Sequence, residues 1–199
     1  MKFKLLPILL LISLSSSSFS QNIFIDSNQV ALFVNDNWLW SKSSQSMNIS
    51  GGVSVGGILD FGYQFGSTTV DRENYYDEND FNVHSFLVSA ILSKKKMQLS
   101  IDLSLAAGNS TTLLIFGFSL ARKYRLEATI DFVFNLSTGL AFNLDEFPQK
   151  QEFAFAIGTD LFIGKVIYFG PGIGYSGSEF FYGVNLGLII PFSGTTAVH

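Results

Sequence analysis

From Phe180 to Phe192 every second residue is large and apolar: Phe180, Tyr182, Val184, Leu186, Leu188, Ile190 and Phe192. The residues between them, Phe181, Gly183, Asn185, Gly187, Ile189 and Pro191, are mostly small or polar. A period of two is what a strand shows when one face meets an apolar medium and the other does not. The apolar stripe begins and ends on an aromatic, and its length suits a strand crossing a bilayer, which needs about 9–11 residues.

The same spacing recurs upstream. Val53, Val55, Gly57, Leu59, Phe61, Tyr63 and Phe65 take one face of a first strand, with Ser54, Gly56, Ile58, Asp60, Gly62 and Gln64 on the other. A charged, non-alternating stretch, Ser67 to Asp80, reads as a loop. A second strand, Phe81 to Leu92, alternates too weakly for its faces to be assigned, and Lys94 to Lys96 turn the chain. In the third, Met97, Leu99, Ile101, Leu103 and Leu105 oppose Gln98, Ser100, Asp102, Ser104 and Ala106. Gly108, Asn109 and Ser110 form a turn by composition. The fourth, Thr112 to Ala121, is followed by a charged connection, Arg122 to Ile130. A fifth carries Phe132, Phe134, Leu136, Leu140 and Phe142 against Asp131, Asn135, Ser137, Gly139 and Asn143. The sixth places Phe153, Phe155, Ile157, Thr159 and Leu161 opposite Ala154, Ala156, Gly158 and Asp160. After a turn at Gly164 and Lys165, the seventh sets Ile167, Phe169, Ile173 and Tyr175 against Tyr168, Gly170, Gly172 and Gly174. Phe180–Phe192 is then the eighth.

The expected fold is therefore all-β, an eight-stranded antiparallel transmembrane up-and-down β-barrel spanning residues 47–192, with Val53–Phe65 as the closing partner of Phe180–Phe192. An even strand count puts both termini on one side. The acidic Ser67–Asp80 and Asn143–Lys150 loops then fall outside, and the Lys94–Lys96 turn inside. Tyr63, Phe65, Phe142, Phe153, Tyr175, Phe180 and Tyr182 are expected at the outer rim, with Phe132, Phe169 and Phe192 near the inner one, as interfacial girdles. Residues 21–46 read as an N-terminal periplasmic segment packed against or inside the barrel, an extra strand being the alternative. Residues 193–199 read as a C-terminal tail.

Composition sharpens this picture. Charged residues make up 14% of the 199 and aromatics 15%, with 21 Phe, whereas soluble domains carry roughly 25% charge. Residues 1–20 read as an export signal: Lys2 and Lys4, an apolar core from Leu5 to Leu14, and a small-x-small cleavage site at Ser18, Phe19 and Ser20. No later run of 18 apolar residues exists, which leaves a closed barrel as the way across a bilayer. A net charge of −4 gives no reason to expect nucleic acid. With no cysteine there is no disulfide framework, and two histidines supply no transition-metal ligand set. No cofactor is expected.

Four carboxylates, Asp60, Asp102, Asp131 and Asp160, fall on the small-polar face, and no Lys or Arg is expected there to pair with them. Unpaired buried charge is costly, so the lumen is expected to be wet at these residues or to bond them through Ser, Asn and Gln. The functional reading is a cation-attracting or ligand-binding lumen. Tyr75 and Tyr76, set among acidic residues, are candidates for an outer contact patch. Gly52–Gly56 matches a Gly-x-Ser-x-Gly elbow centred on Ser54, but nothing helical follows it. Gly172, Gly174 and Gly177 fit a dinucleotide fingerprint with no helix after them. Both read as barrel glycines.

With its export signal, alternating strands and terminal Phe192, the chain resembles the small bacterial outer-membrane β-barrel family that includes the OmpX-like and OmpA-barrel proteins, and its Phe-rich strands look similar to barrels from the Bacteroidota. The resemblance covers about Val53 to Phe192. It implies residence in the outer membrane and contact with its lipid bilayer. It also implies that Tyr182, Val184, Leu186, Leu188 and Ile190 leading to Phe192 form the signal read by the barrel-assembly machinery. The expected role is non-enzymatic: structural, surface-interacting or a minor pore. A lipid-modifying barrel enzyme of acylase or deacylase type is the alternative, requiring a Ser/His pair with His84 as its base. A secreted lipocalin-like barrel, apolar inside and polar outside, is a further one, because periodicity by itself does not orient the faces.

Overall fold

Ten segments alternate in the computed structural model, and each pairs with its neighbours in sequence. The structure describes residues 25, 29–70, 80–92, 96–108, 111–145, 151–176 and 179–193. The strands are β1 (Gln29–Ser41), β2 (Ser44–Val55), β3 (Leu59–Val70), β4 (Asp80–Ile91), β5 (Met97–Gly108), β6 (Thr111–Glu127), β7 (Ile130–Asn143), β8 (Gln151–Ile163), β9 (Ile167–Ser176) and β10 (Glu179–Ser193). β10 closes onto β1 to give an antiparallel up-and-down barrel. Closure pairs both edges of every strand, so no open edge is left to template aggregation.

The barrel has ten strands rather than the expected eight. The two additional strands come from the region read as a periplasmic segment: β1 lies entirely within it, and β2 begins at Ser44. The closing partner of β10 is accordingly β1, with Val30 opposite Phe192 and Trp40 opposite Tyr182, not Val53–Phe65. That supposed strand is the end of one strand and the start of another. Val55 and Leu59 are register partners across a three-residue loop, in which Gly56 and Gly57 take positive φ. Ile58 N donates to Val55 O at 3.0 Å. Glycine populates that backbone region without a Cβ penalty. A loop of odd length keeps the parity of outward positions, so Val53 and Val55 in β2 run in phase with Leu59 and Phe61 in β3. Alternation passes through the hairpin unbroken.

β1 escaped notice for a different reason. Its outward set is Val30, Leu32, Val34, Asp36, Trp38 and Trp40, broken by a carboxylate, and its inward set includes the apolar Phe33 and Leu39 as well as Asn35 and Asn37. In β4 the same mixing hid the faces. Phe81, Val83, Ser85, Leu87, Ser89 and Ile91 point inward, and Asn82, His84, Phe86 and Val88 outward. The charged segment Arg122–Ile130 is not a connection either: β6 runs to Glu127, and only Ala128 and Thr129 separate it from β7.

The two faces of the wall differ as membrane and lumen do. Outward lie exposed large apolar residues on every strand, among them Leu32, Ile49, Phe61, Phe86, Leu103, Phe118, Leu136, Phe155, Phe169 and Leu188. Inward lie buried Ser, Asn, Gln, Asp and Gly with apolar residues interspersed. This is the inverse of a lipocalin-type barrel, and it overturns that alternative. Residues 1–20, Tyr75 and Tyr76, the turn residues Lys94 and Lys95, Asn109 and Ser110, and residues 194–199 lie outside the described residues. Ser193, assigned to the tail, ends β10.

Candidate functional site: the barrel interior

Two inward rows on the β8–β1 side share one construction. Asp160 on β8 accepts a bond from Asn185 Nδ2 on β10 at 2.7 Å, and its other oxygen accepts from Asn135 Nδ2 on β7. β9 lies between β8 and β10, and the register partner of Asn185 there is Gly170. A Cβ on Gly170 would run into the backbone of Thr159 and Asp160. The missing side chain lets Asp160 reach over one strand to the next. One row further in, the Tyr168 hydroxyl of β9 donates to Asn35 Oδ1 of β1 at 3.1 Å. The strand between is β10, and the residue opposite both is Gly187. A Cβ there would meet the Tyr168 ring. Tyr168 also stacks on Phe162, with centroids 5.0 Å apart and 22° between planes. Glycine on the middle strand is what allows polar side chains to staple strands that are not adjacent.

A third row crosses the β2–β5 side. Ser54, Asp60, Ser89 and Asp102 are successive register partners on four strands. Ser89 Oγ donates to Asp102 Oδ1 at 2.5 Å, and Ser100 and Ser119, bonded to one another, flank the same carboxylate. Asp60 is fully buried, as is Ser54 opposite it, whose hydroxyl is its hydrogen-bonding neighbour. Asp102 lies within electrostatic reach of Asp60.

The structure thus places all four sequence-selected aspartates on the inward face but does not gather them. Asp60 and Asp102 share a row, and Asp160 is held by asparagines. Asp131 sits at the inner end of β7, 3.4 Å from Arg125 Nε and 3.8 Å from Lys123 Nζ. The expectation that no cation meets these carboxylates is therefore corrected at Asp131. The cations were missed because Lys123 and Arg125 belong to the extended part of β6 rather than to a loop. Asp60, Asp102 and Asp160 are 0%, 3% and 2% exposed, so little or no water touches these side chains. Sequence reasoning chose the carboxylates and passed over Asn35, Asn37, Asn135, Asn185 and Tyr168. The available signal was asparagine recurring at inward positions, and for Asn35 and Asn37 it lay in a segment not recognised as strand.

The remaining motifs dissolve in the fold. Ser54 is an inward strand residue at 0% exposure, and among the described residues no histidine lies beside it. Both histidine-dependent readings meet the same fact: His84 points outward, and its Nδ1 is hydrogen-bonded to the Tyr63 hydroxyl, not to a serine. Its ring contacts are Tyr63 and Phe65. At the seam, Glu179 accepts bonds from Ser43 Oγ at 2.7 Å and Ser41 Oγ at 2.9 Å, tying the β1–β2 hairpin to the start of β10. Above the apolar face Trp40 stacks on Tyr182, 5.8 Å between centroids, and at the opposite end Arg122 lies over Tyr124 at 5.0 Å. These are aromatic girdle positions.

No protein-family model and no curated protein matches the chain. Among solved structures it is similar to a KdgM porin in complex with disordered oligogalacturonate, at 6% identity over 78% of this chain and 98% of that one, with a TM-score of 0.47. It is similar to LpxR from Salmonella typhimurium at 7% identity, 81% and 99% coverage and a TM-score of 0.48. The N-terminal β-barrel domain of Pseudomonas aeruginosa OprF matches at 9% identity, 83% and 100% coverage and a TM-score of 0.39. Identities and scores this low describe general barrel form and carry nothing about activity.

Proposed function

We propose that the chain is a non-enzymatic outer-membrane β-barrel whose role is structural or surface-interacting. The observation that carries this reading is the pairing of a continuous apolar outer face on all ten strands with an inner face of buried polar side chains. Exposed to water, that outer face would be an apolar patch far beyond the few hundred Å² a soluble monomer tolerates; in lipid it is the ordinary outer surface of a barrel. The low charge content, the girdle residues Trp40, Tyr182 and Tyr124, and the export signal read from residues 1–20 agree with it. Within this reading Phe192, which is opposite Val30 at the seam, serves as the assembly signal, and the barrel-assembly machinery and outer-membrane lipid are the partners. Ten strands exceed the eight typical of OmpX-type barrels, so kinship with that group rests on pattern alone. The burial of Asp60, Asp102 and Asp160 favours a structural or surface role over a pore.

Three measurements test it. Membrane fractionation should recover the protein only by detergent extraction; recovery in the soluble periplasmic fraction would sink the proposal. Planar-bilayer recording should show no steady conductance, and a stable ohmic current from the wild-type protein would restore the pore role. Lipid A composition should be the same with wild type and His84→Ala; a change dependent on His84 would establish the enzymatic alternative.

A further inference from the structure

Arg122 is the one Lys or Arg among the described residues that stands on the outer face of a strand. Lys123 and Arg125, its neighbours on β6, turn to the inward Asp131. Arg122 instead lies between Met97 of β5 and Phe134 of β7, which are 49% and 39% exposed on the apolar wall. Its guanidinium is 5.0 Å from the centre of the Tyr124 ring, and Tyr124 packs in turn on Phe132. Tyr124 is nearer the inner end of β6, so the arginine side chain runs along the wall toward that end and away from the bilayer centre. The run from Leu114 to Tyr124, at about 3.3 Å per residue and a tilt near 40°, rises about 25 Å, the height of the apolar band. The Arg122 backbone is thus about 5 Å inside that band, and its charge is carried to the edge, as a snorkelling side chain does. Among the described residues it has no ion-pair partner.

We propose that Arg122 and Tyr124 bind the phosphate of an anionic phospholipid in the leaflet at the inner end of the barrel. At the edge of the hydrocarbon the anion within reach of an unpaired guanidinium is the headgroup phosphodiester. The planar fork of arginine meets two phosphate oxygens at once. Its stacking on Tyr124 fixes the plane of that fork in advance, so less freedom is lost on binding. The Tyr124 hydroxyl is a further donor at the same level. Met97 and Phe134 give the acyl chains an apolar wall on either side. A net negative headgroup is favoured over a zwitterion because this end is basic. Lys96, in the adjoining turn, together with Arg122, Lys123 and Arg125 outnumbers Asp131 and Glu127, and a zwitterion brings its own cation into that field. The proposal rests on the membrane reading and names the lipid chemistry that reading leaves open.

The test uses the full chain extracted and delipidated in a mild non-ionic detergent. Native mass spectrometry with phosphatidylglycerol and phosphatidylcholine added in equal amounts should show phosphatidylglycerol retained in preference. Arg122→Gln should lower that retention by about tenfold, the equivalent of one charge-assisted contact. Arg122→Lys, which keeps the charge but not the fork, should fall between the two. Tyr124→Leu leaves Arg122 in place but frees its guanidinium, and should lower retention several-fold. Lys165→Gln, which removes an exposed cation from the β8–β9 turn at the same end, should retain the lipid as wild type does. If Arg122→Gln does not fold, Tyr124→Leu carries the comparison. Equal retention of the two lipids by the wild type overturns the proposal. So does a loss in Lys165→Gln as large as that in Arg122→Gln or Tyr124→Leu, which would mean diffuse attraction of charge. Recovery of the protein in the soluble fraction, before any lipid is added, would instead defeat the membrane reading, which keeps the two failures apart.

Discussion

Asp36→Leu should make the barrel more stable. Asp36 points outward from β1 between Leu186 of β10 and Ile49 of β2, both 47% exposed on the same apolar face. Trp40, stacked on Tyr182, marks the outer girdle four residues further along. At about 3.3 Å per residue and a strand tilt near 40°, Asp36 lies about 10 Å below that girdle, close to the middle of an apolar band about 25 Å tall. A cation on the lipid face at the midplane costs about 2–4 kcal/mol and an acid less, so about 1–3 kcal/mol is a fair range for Asp36. Its Oδ1 is shielded and has no hydrogen-bond partner. The carboxylate's one favourable contact is the Asn37 backbone amide, and losing that bond costs roughly 1 kcal/mol. The net gain from leucine is therefore up to about 2 kcal/mol, or as much as roughly a 30-fold shift in the folding equilibrium. Urea or guanidinium unfolding in micelles or lipid vesicles reads it directly, because the only tryptophans, Trp38 and Trp40, are on the same strand. An exposed surface substitution in water would stay within about ±0.5 kcal/mol. Equal or lower stability of the leucine variant in lipid would refute the placement of Asp36 in hydrocarbon, and with it the orientation of the wall.

The interior makes further demands. Asp160→Ala strands the Asn135 and Asn185 amides in a buried site and should destabilise by about 2–4 kcal/mol, whereas Asp160→Asn should lose less; midpoints of denaturant unfolding compare them, and equal values would mean that the acceptor role of Asp160 is unimportant. Gly170→Ala drives a Cβ into the Thr159 backbone, while Gly187→Ala meets the Tyr168 ring, which can shift. Refolding yield, followed by the shift in gel mobility between folded and heated samples, should fall more for Gly170→Ala than for Gly187→Ala. Tyr168→Phe keeps the stack on Phe162 but removes the donor to Asn35 and should cost about 1 kcal/mol in the same unfolding assay.

Alternation alone determined that this chain forms strands with one apolar and one polar face, because a strand's side chains point to opposite sides with a period of two. From Met97 onward that signal placed six strands and put Asp102, Asp131 and Asp160 on the small-polar face, as it did Asp60 upstream. Parity, however, is conserved through three-residue turns such as Gly56–Ile58, so it does not count strands. It also fades where both faces carry apolar residues, as in β1 and β4. Register was the larger omission. Only closure of β1 on β10 brings Asn35 opposite Gly187, and Tyr168 across it, to make a staple from residues 133 positions apart. That closure also sets Asp36 between Leu186 and Ile49 on the outer face, while the hairpin registers of β2 to β5 set Ser54, Asp60 and Asp102 in one buried row, because which side chains meet across a sheet is a property of strand order and stagger, and neither is written in the spacing of any single strand.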